Sequence, residues 1–440
     1  MKRIGWVLFI LVAVVGAANG AASGKQTANP LVDELESSNP AIRAKAAQQL
    51  GQSGDPSVVP ALAKALSDPS TKVRRQVIVA LSRLHTASAL HALLFATKDG
   101  DPGVRTLAVR AAVDWYRGII PSVGFGGMIK RSYRSTMQSF QGGSTHVSPG
   151  TPVDPEVISA LEAATEDTRS IEAAREAAHG LGVLLAHPAV PVLVKAAHTP
   201  DADLATNALN SLSEIKDVSA GPDLIDLLDS PSKSVRQAAC VTVGILRTCS
   251  AVPKLEQIYQ NDADADVRRA ALHGLAFIGD PSSYAIFTKA LWSQNKQERT
   301  YSAEGLARAR DPKAMADLNK RLQVEKNAGV RLAIRFAQTS IGDSSSLKYL
   351  VNSLSSRSYG EVAQSYLIEL ARRKNILTAL YPYLHDGNAD VRRRLCNVLA
   401  YSGDASSLPE LHPLAGDRNG DVAAAALRAE RAIRARAHAG

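Results

Sequence analysis

Ten histidines, three cysteines and 42 carboxylates are the groups from which this chain would build a metal site, a nucleophile or an acid–base pair. No histidine is followed by Glu, there is no HExxH, and no GxSxG stands with partners at suitable places, so zinc-protease and serine-hydrolase signatures are missing. Glu176 and His179 form an ExxH on one helical face, a ligand spacing that binds metal only where further carboxylates converge on it. His273 reads as a core or groove histidine. Cys240, Cys249 and Cys396 are an odd, sparse set with no CxxC, which suits neither a disulfide framework nor a zinc or redox site. The glycines of GFGG are not followed by GK[ST], so they carry no phosphate loop. Accordingly, no residue is assigned to catalysis, to a cofactor or to a metal.

Cations offer a second kind of chemistry. Arg43, Arg74, Arg105, Arg236, Arg268, Arg331 and Arg392 follow one recurrent phrase, and their guanidinium groups would make a basic stripe for a polyanion if they were free. Acids stand near many of them, among them Asp68, Asp101, Asp266 and Asp390, and ion pairs that tie consecutive turns together are the better reading. The additional Arg75, Arg269, Arg393 and Arg394 are then the better contact candidates. A separate basic stretch holds Lys130, Arg131 and Arg134 with no acid until Asp154. Met128, Ile129, Tyr133, Met137 and Phe140 lie near helical spacing on another face of it. Three readings of that stretch stand: its apolar side folds back over its neighbours, it docks an anionic partner or membrane surface, or it stays unordered. The partner-binding candidates are Lys130, Arg131, Tyr133, Arg134, Phe140, Arg269, Arg393 and Arg394.

The elements that position these residues repeat. The residue before the recurrent arginine gives a ruler: Ile42, Val73, Val104, Ile171, Leu204, Val235, Val267, Glu298, Val330, Val362, Val391 and Val422. Most steps are 31 to 33 residues, one is 29, and Val104 to Ile171 is 67. Each unit codes a first helix with apolar residues at helical spacing, such as Val267, Ala270, Ala271, Leu275 and Ile278. Gly-Asp-Pro or something close then ends it, with Gly at the helix end, Asp as a cap and Pro in the next first turn. A second helix follows, as in VVPALAKAL from Val58. One such hairpin cannot bury its apolar face alone, whereas stacked neighbours bury a continuous one. Cys240 and Cys396 fall five residues after Val235 and Val391, where other units hold Ala or Leu, and read as core residues.

The pattern VRxxAAxxLG…GDP…VPAL resembles the HEAT repeat family, in particular its short PBS-lyase HEAT-like subset, from about Asn29 to the C-terminus. The resemblance implies an all-α α-solenoid, a right-handed superhelix of stacked hairpins with an elongated groove, and protein-binding duty. Deoxyhypusine hydroxylases are similar at repeat level, but the His-Glu dipeptides that hold their di-iron centre are absent here. A HEAT-like enzyme, lyase or oxidoreductase, is the remote alternative.

Lys2 and Arg3, the apolar run Trp6 to Val15 and the small residues of GAANGAAS predict a secretory signal peptide cleaved after Gly20 or Ala22, with an uncleaved anchor as the alternative. The expected organisation is a signal peptide at 1–22, a short linker at 23–29 and a solenoid of about twelve units at 30–440, with an insertion at 118–155. Net charge is +9, or +7 without Lys2 and Arg3, a mild excess that serves solubility first. The expected product is an exported, periplasmic or extracellular scaffold without a cofactor. Its partner is a protein or peptide of the cell envelope, with an anionic polymer or membrane surface as the alternative; nucleic acid is not expected.

Overall fold

A computed structural model describes residues 29–120, 146–147 and 151–439. Twelve first helices recur in it: α1 (Pro40–Ser53), α2 (Thr71–Leu84), α3 (Pro102–Tyr116), α4 (Ile171–Val183), α5 (Ala202–Ile215) and α6 (Lys233–Ile245). They continue as α7 (Ala265–Ile278), α8 (Lys296–Ala309), α9 (Ala328–Ile341), α10 (Gly360–Leu370), α11 (Ala389–Ser402) and α12 (Gly420–Ala439). Shorter second helices alternate with them, from Val59–Ala65 to Leu408–Leu411, and the described residues contain no strand. In the fifth hairpin the second helix is replaced by 3₁₀ turns at Pro222–Leu224 and Asp226–Asp229. The result is an all-α solenoid.

Local chemistry explains the boundaries. Side-chain oxygens of Asn39, Asp101, Asp201, Asp264, Asn327 and Asn388 accept from amides in the first turn of the helix that follows. The ruler residue is the third residue of its helix in every unit but one. There it is buried at Val73, Val104, Leu204, Val235, Val267, Val330, Val391 and Val422. Ile42 is 41% exposed, because only a short helix, Pro30–Glu34, precedes α1. Ile171 is the exception: Ser170 caps α4, so Ile171 opens the helix and Ala173 takes the buried place. The Gly-Asp-Pro junction also differs from the expectation. Asp55 and Asp280 cap 3₁₀ turns, Pro56–Val58 and Pro281–Ser283, and the α-helix begins only after them.

First helices pack on one another at backbone contact. A Cβ added to Gly244 would lie 2.4 Å from Gly274 Cα, so α6 and α7 touch through two glycines. Hydroxyls cross the neighbouring seams: Ser211 Oγ of α5 donates to Ala178 O of α4 at 2.8 Å and Thr242 Oγ1 of α6 to Leu209 O of α5 at 3.1 Å. Neighbouring second helices meet far more sparsely, and among the first helices only α9 and α10 are as loosely apposed. A stack spaced more closely along one layer bends toward that layer, which makes the first helices the inner side.

Candidate functional site

The recurrent arginine is the fourth residue of its helix, one place past the ruler, and its guanidinium turns back over the helix start. Nη1 donates to the carbonyl six residues earlier in eight units: Arg43 to Ser37, Arg74 to Asp68, Arg105 to Asp99, Arg236 to Ser230, Arg268 to Asp262, Arg299 to Ser293, Arg331 to Glu325 and Arg392 to Asp386, at 2.6 to 3.0 Å. Five of them also form forked pairs with an acid of the next inter-repeat turn: Arg43–Asp68, Arg74–Asp99, Arg236–Asp262, Arg299–Glu325 and Arg392–Asp417. Arg105 stands 3.6 Å from Asp167. The acids of the forked pairs sit two residues before the cap at a helix start, and Asp167 sits three before Ser170. Asp101, Asp266 and Asp390 instead pair with Arg75, with Lys233 and Arg269, and with Arg393. Burial pushes the Glu325 carboxyl up, but Arg299, the Asn327 amide and Arg321 outweigh it and bring the group down to about 2. Arg299 follows Glu298 of the ruler and joins the ladder, although the sequence reading did not name it among the ladder arginines.

On the inner side, the ninth and thirteenth residues of α7 and α8 and the ninth of α9, joined by Tyr301 of α8 and by Tyr366 and Glu369 of α10, carry a polar and aromatic strip. His273 and Phe277 of α7 tilt against each other, and Tyr301 of α8 stacks on His273 with ring centroids 4.0 Å apart. Arg308 of α8 lies over Phe277 and Phe336, donates to Ala276 O at 2.9 Å and forks onto Glu369 of α10 at 3.0 Å. Tyr366 stacks on Phe336 at 4.3 Å and donates its hydroxyl to Glu304. Burial, reinforced by the Arg308 charge, depresses His273 to about 3, so its ring is neutral. Burial raises Glu304 against the pull of Arg308 and Tyr366. Phe336 and Tyr366 are buried and only a tenth of the Arg308 side chain is exposed, so the strip is a packed joint between successive helices, with His273, Phe277 and Tyr301 half-buried at its edge.

The insertion returns onto the stack ahead of its own second helix. Val147 N donates to Val183 O of α4 at 3.0 Å, and the Val147 side chain is buried. His146 Nε2 stands 3.0 Å from Glu214 Oε1 of α5. Farther along, Asp154 N donates to the Tyr116 hydroxyl at 2.9 Å, and Asp154 Oδ2 lies 3.0 Å from His91 Nε2. Burial raises the Glu214 carboxyl to about 7, with Lys216 opposing. Burial, with Lys216, His179 and Arg117 nearby, lowers His146.

A family model described as HEAT repeats matches residues 28–112, 158–244 and 221–304, more than half of the chain. The chain belongs to the HEAT repeat family. Among solved structures its HEAT repeats are similar to an engineered protein, at 17% identity and a TM-score of 0.38 over 92% of this chain and 98% of that one. YibA of Escherichia coli is similar at 14% identity and 0.40 over 63% and 90%, and importin beta at 13% identity and 0.45 over 92% and 64%. No curated protein matches the sequence.

Within the HEAT stack the contact candidates scatter. Arg269 lies on α7 and pairs with Asp266; Arg393 lies on α11 with its Nη2 3.0 Å from Asp390. Arg394 packs beside Gly360 at the start of α10. All three are half-buried, and nothing brings Arg269 together with the other two. Lys130, Arg131, Tyr133, Arg134 and Phe140 lie outside the described residues, as does the signal segment. The ExxH pair is also divided: Glu176 accepts from Arg110. Among the described residues no group of three or more metal-ligand side chains converges, and no helix is long and apolar enough to cross a membrane. Cys240 and Cys396 are buried, and burial pushes both thiols up to about 12.

Proposed function

We propose that this HEAT-repeat chain is an exported, non-catalytic scaffold that binds a protein or peptide of the cell envelope along its inner face. The observation that carries the reading is the strip from His273 to Glu369, contributed by four successive first helices and locked by its own stacks and ion pairs. The half-buried His273, Phe277 and Tyr301 at the edge of this joint are already fixed in place and so lose little entropy on binding, and aromatic side chains are common anchors of protein interfaces. Export rests on the Lys2-Arg3 start, the short apolar run and the small residues that follow.

Affinity capture from an envelope extract tests it, comparing the mature chain with one lacking residues 119–152, both checked for folding by a circular dichroism melt. The same partner held by both chains at moderate salt supports the inner face. A partner held only by the intact chain transfers recognition to the insertion. Steeply salt-dependent retention of anionic polymer or lipid would replace this reading with the polyanion alternative.

A further inference from the structure

The arginine ladder that joins consecutive units is incomplete. Arg268 and Arg331 make their backward hydrogen bonds but have no forward acid, and α10 carries Ala363 where the arginine would stand. Among the described residues the ladder therefore lapses between α7 and α8, between α9 and α10 and between α10 and α11, as it also does between α4 and α5, where Arg175 holds the cap Asp201 instead, and between α5 and α6, where α5 carries Ala205. The first two of these gaps are spanned by a second network at the opposite ends of the same helices. Arg308 of α8 holds Glu369 of α10 across α9, at a separation of 61 residues. Arg247, which follows α6, places Nη2 4.0 Å from Oε1 of the same carboxylate, the oxygen that also accepts from Arg308 Nε. The two residues are 122 positions apart, and α7, α8 and α9 stand between their helices. Such a contact forms only where the inner face bends sharply enough to bring the C-terminal ends of α6 and α10 together.

We infer that Glu369 is a clasp: by engaging Arg247 and Arg308 together, it closes the inner side of the stack between α6 and α10 and sets the curvature there. The arms differ in character. Arg308 is enclosed between two aromatic rings with a tenth of its side chain exposed, whereas the Arg247 side chain is 56% exposed. An exposed pair is weak and salt-screened, an enclosed forked pair much less so. Arg247 is therefore the arm that releases, and Arg308 the anchor.

The test uses Cys249, which is exposed while Cys240 and Cys396 are buried, as a native site for a spin label beside Arg247. A second label at Arg372→Cys, an exposed position just past α10, reports the span across the clasp by pulsed electron paramagnetic resonance. Arg247→Gln and Glu369→Gln are each compared with the otherwise intact labelled chain, with circular dichroism melts confirming the fold. The clasp predicts a longer, broader distance distribution in both. Arg247→Gln is the decisive variant, since its exposed side chain is dispensable for folding. An unchanged distribution in that variant overturns the clasp and leaves Glu369 a local partner of Arg308.

Discussion

At the scale of single residues, two carboxyl groups behave in opposite ways, and pH separates them. Glu325 is held down to about 2 while only 2% exposed, so its contribution is fully present above the ordinary range near 4.5 and fades as pH falls toward 2. Removing it with Glu325→Gln should flatten the acid limb of a stability–pH curve measured by urea unfolding. The loss at neutral pH should be on the order of 2–3 kcal/mol. Glu214 is raised to about 7, so the folded state favours its proton. Its neutral form costs nothing below the ordinary range, and a penalty grows as pH rises from there through 7. Glu214→Gln should therefore raise the melting temperature at pH 8 and leave it nearly unchanged at pH 5. Neither group stood out in the sequence, because both shifts come from burial and neighbours that only the stack supplies.

At the scale of the helix, most of the fold was legible. A ruler made mostly of β-branched residues found the third position of eleven of the twelve first helices, a place that is buried in eight of them. It failed at Ile171, where a β-branched residue follows the Ser170 cap directly and the core place falls to Ala173. The arginine ladder was legible as ion pairing, and of the four acids named with it Asp68 does hold Arg43, but the other three lie too far along the chain. Asp101, Asp266 and Asp390 lie at or within the helix start, whereas the acid that reaches the preceding arginine lies two residues before the cap. The seam between helices carries its own prediction. Gly244→Ala would press a methyl into Gly274, where both partners are backbone and neither can turn aside. Overpacking of this kind costs about 1–3 kcal/mol, read as a lower thermal midpoint. Arg236, Asp262 and the rest of that unit's ion pairs would be untouched.

At the scale of the whole molecule, the inner strip was not legible. Its contacts join residues 61, 62 and 122 positions apart, and no periodicity of 31 to 33 residues reveals which units meet across a curve. The array is thus tied in two ways: by a short-range ladder at the starts of the first helices, and by longer reaches at their ends. Cutting the first should loosen one joint at a time. In Asp99→Asn the Arg74 fork is lost, and hydrogen exchange should rise in α2 and α3 while α7 to α11 keep their protection.

The seat of Val147 on α4 has a consequence for the order in which the protein is made. His146 and Val147 leave the ribosome before either surface they rest on: Val183 lies 36 positions later and Glu214 lies 68 positions later than their respective partners. During synthesis the first two units have their following neighbours at hand as soon as those emerge. The return of the insertion does not. It must wait while the whole of the next two first helices is translated, with the apolar side chain of Val147 uncovered in the interval.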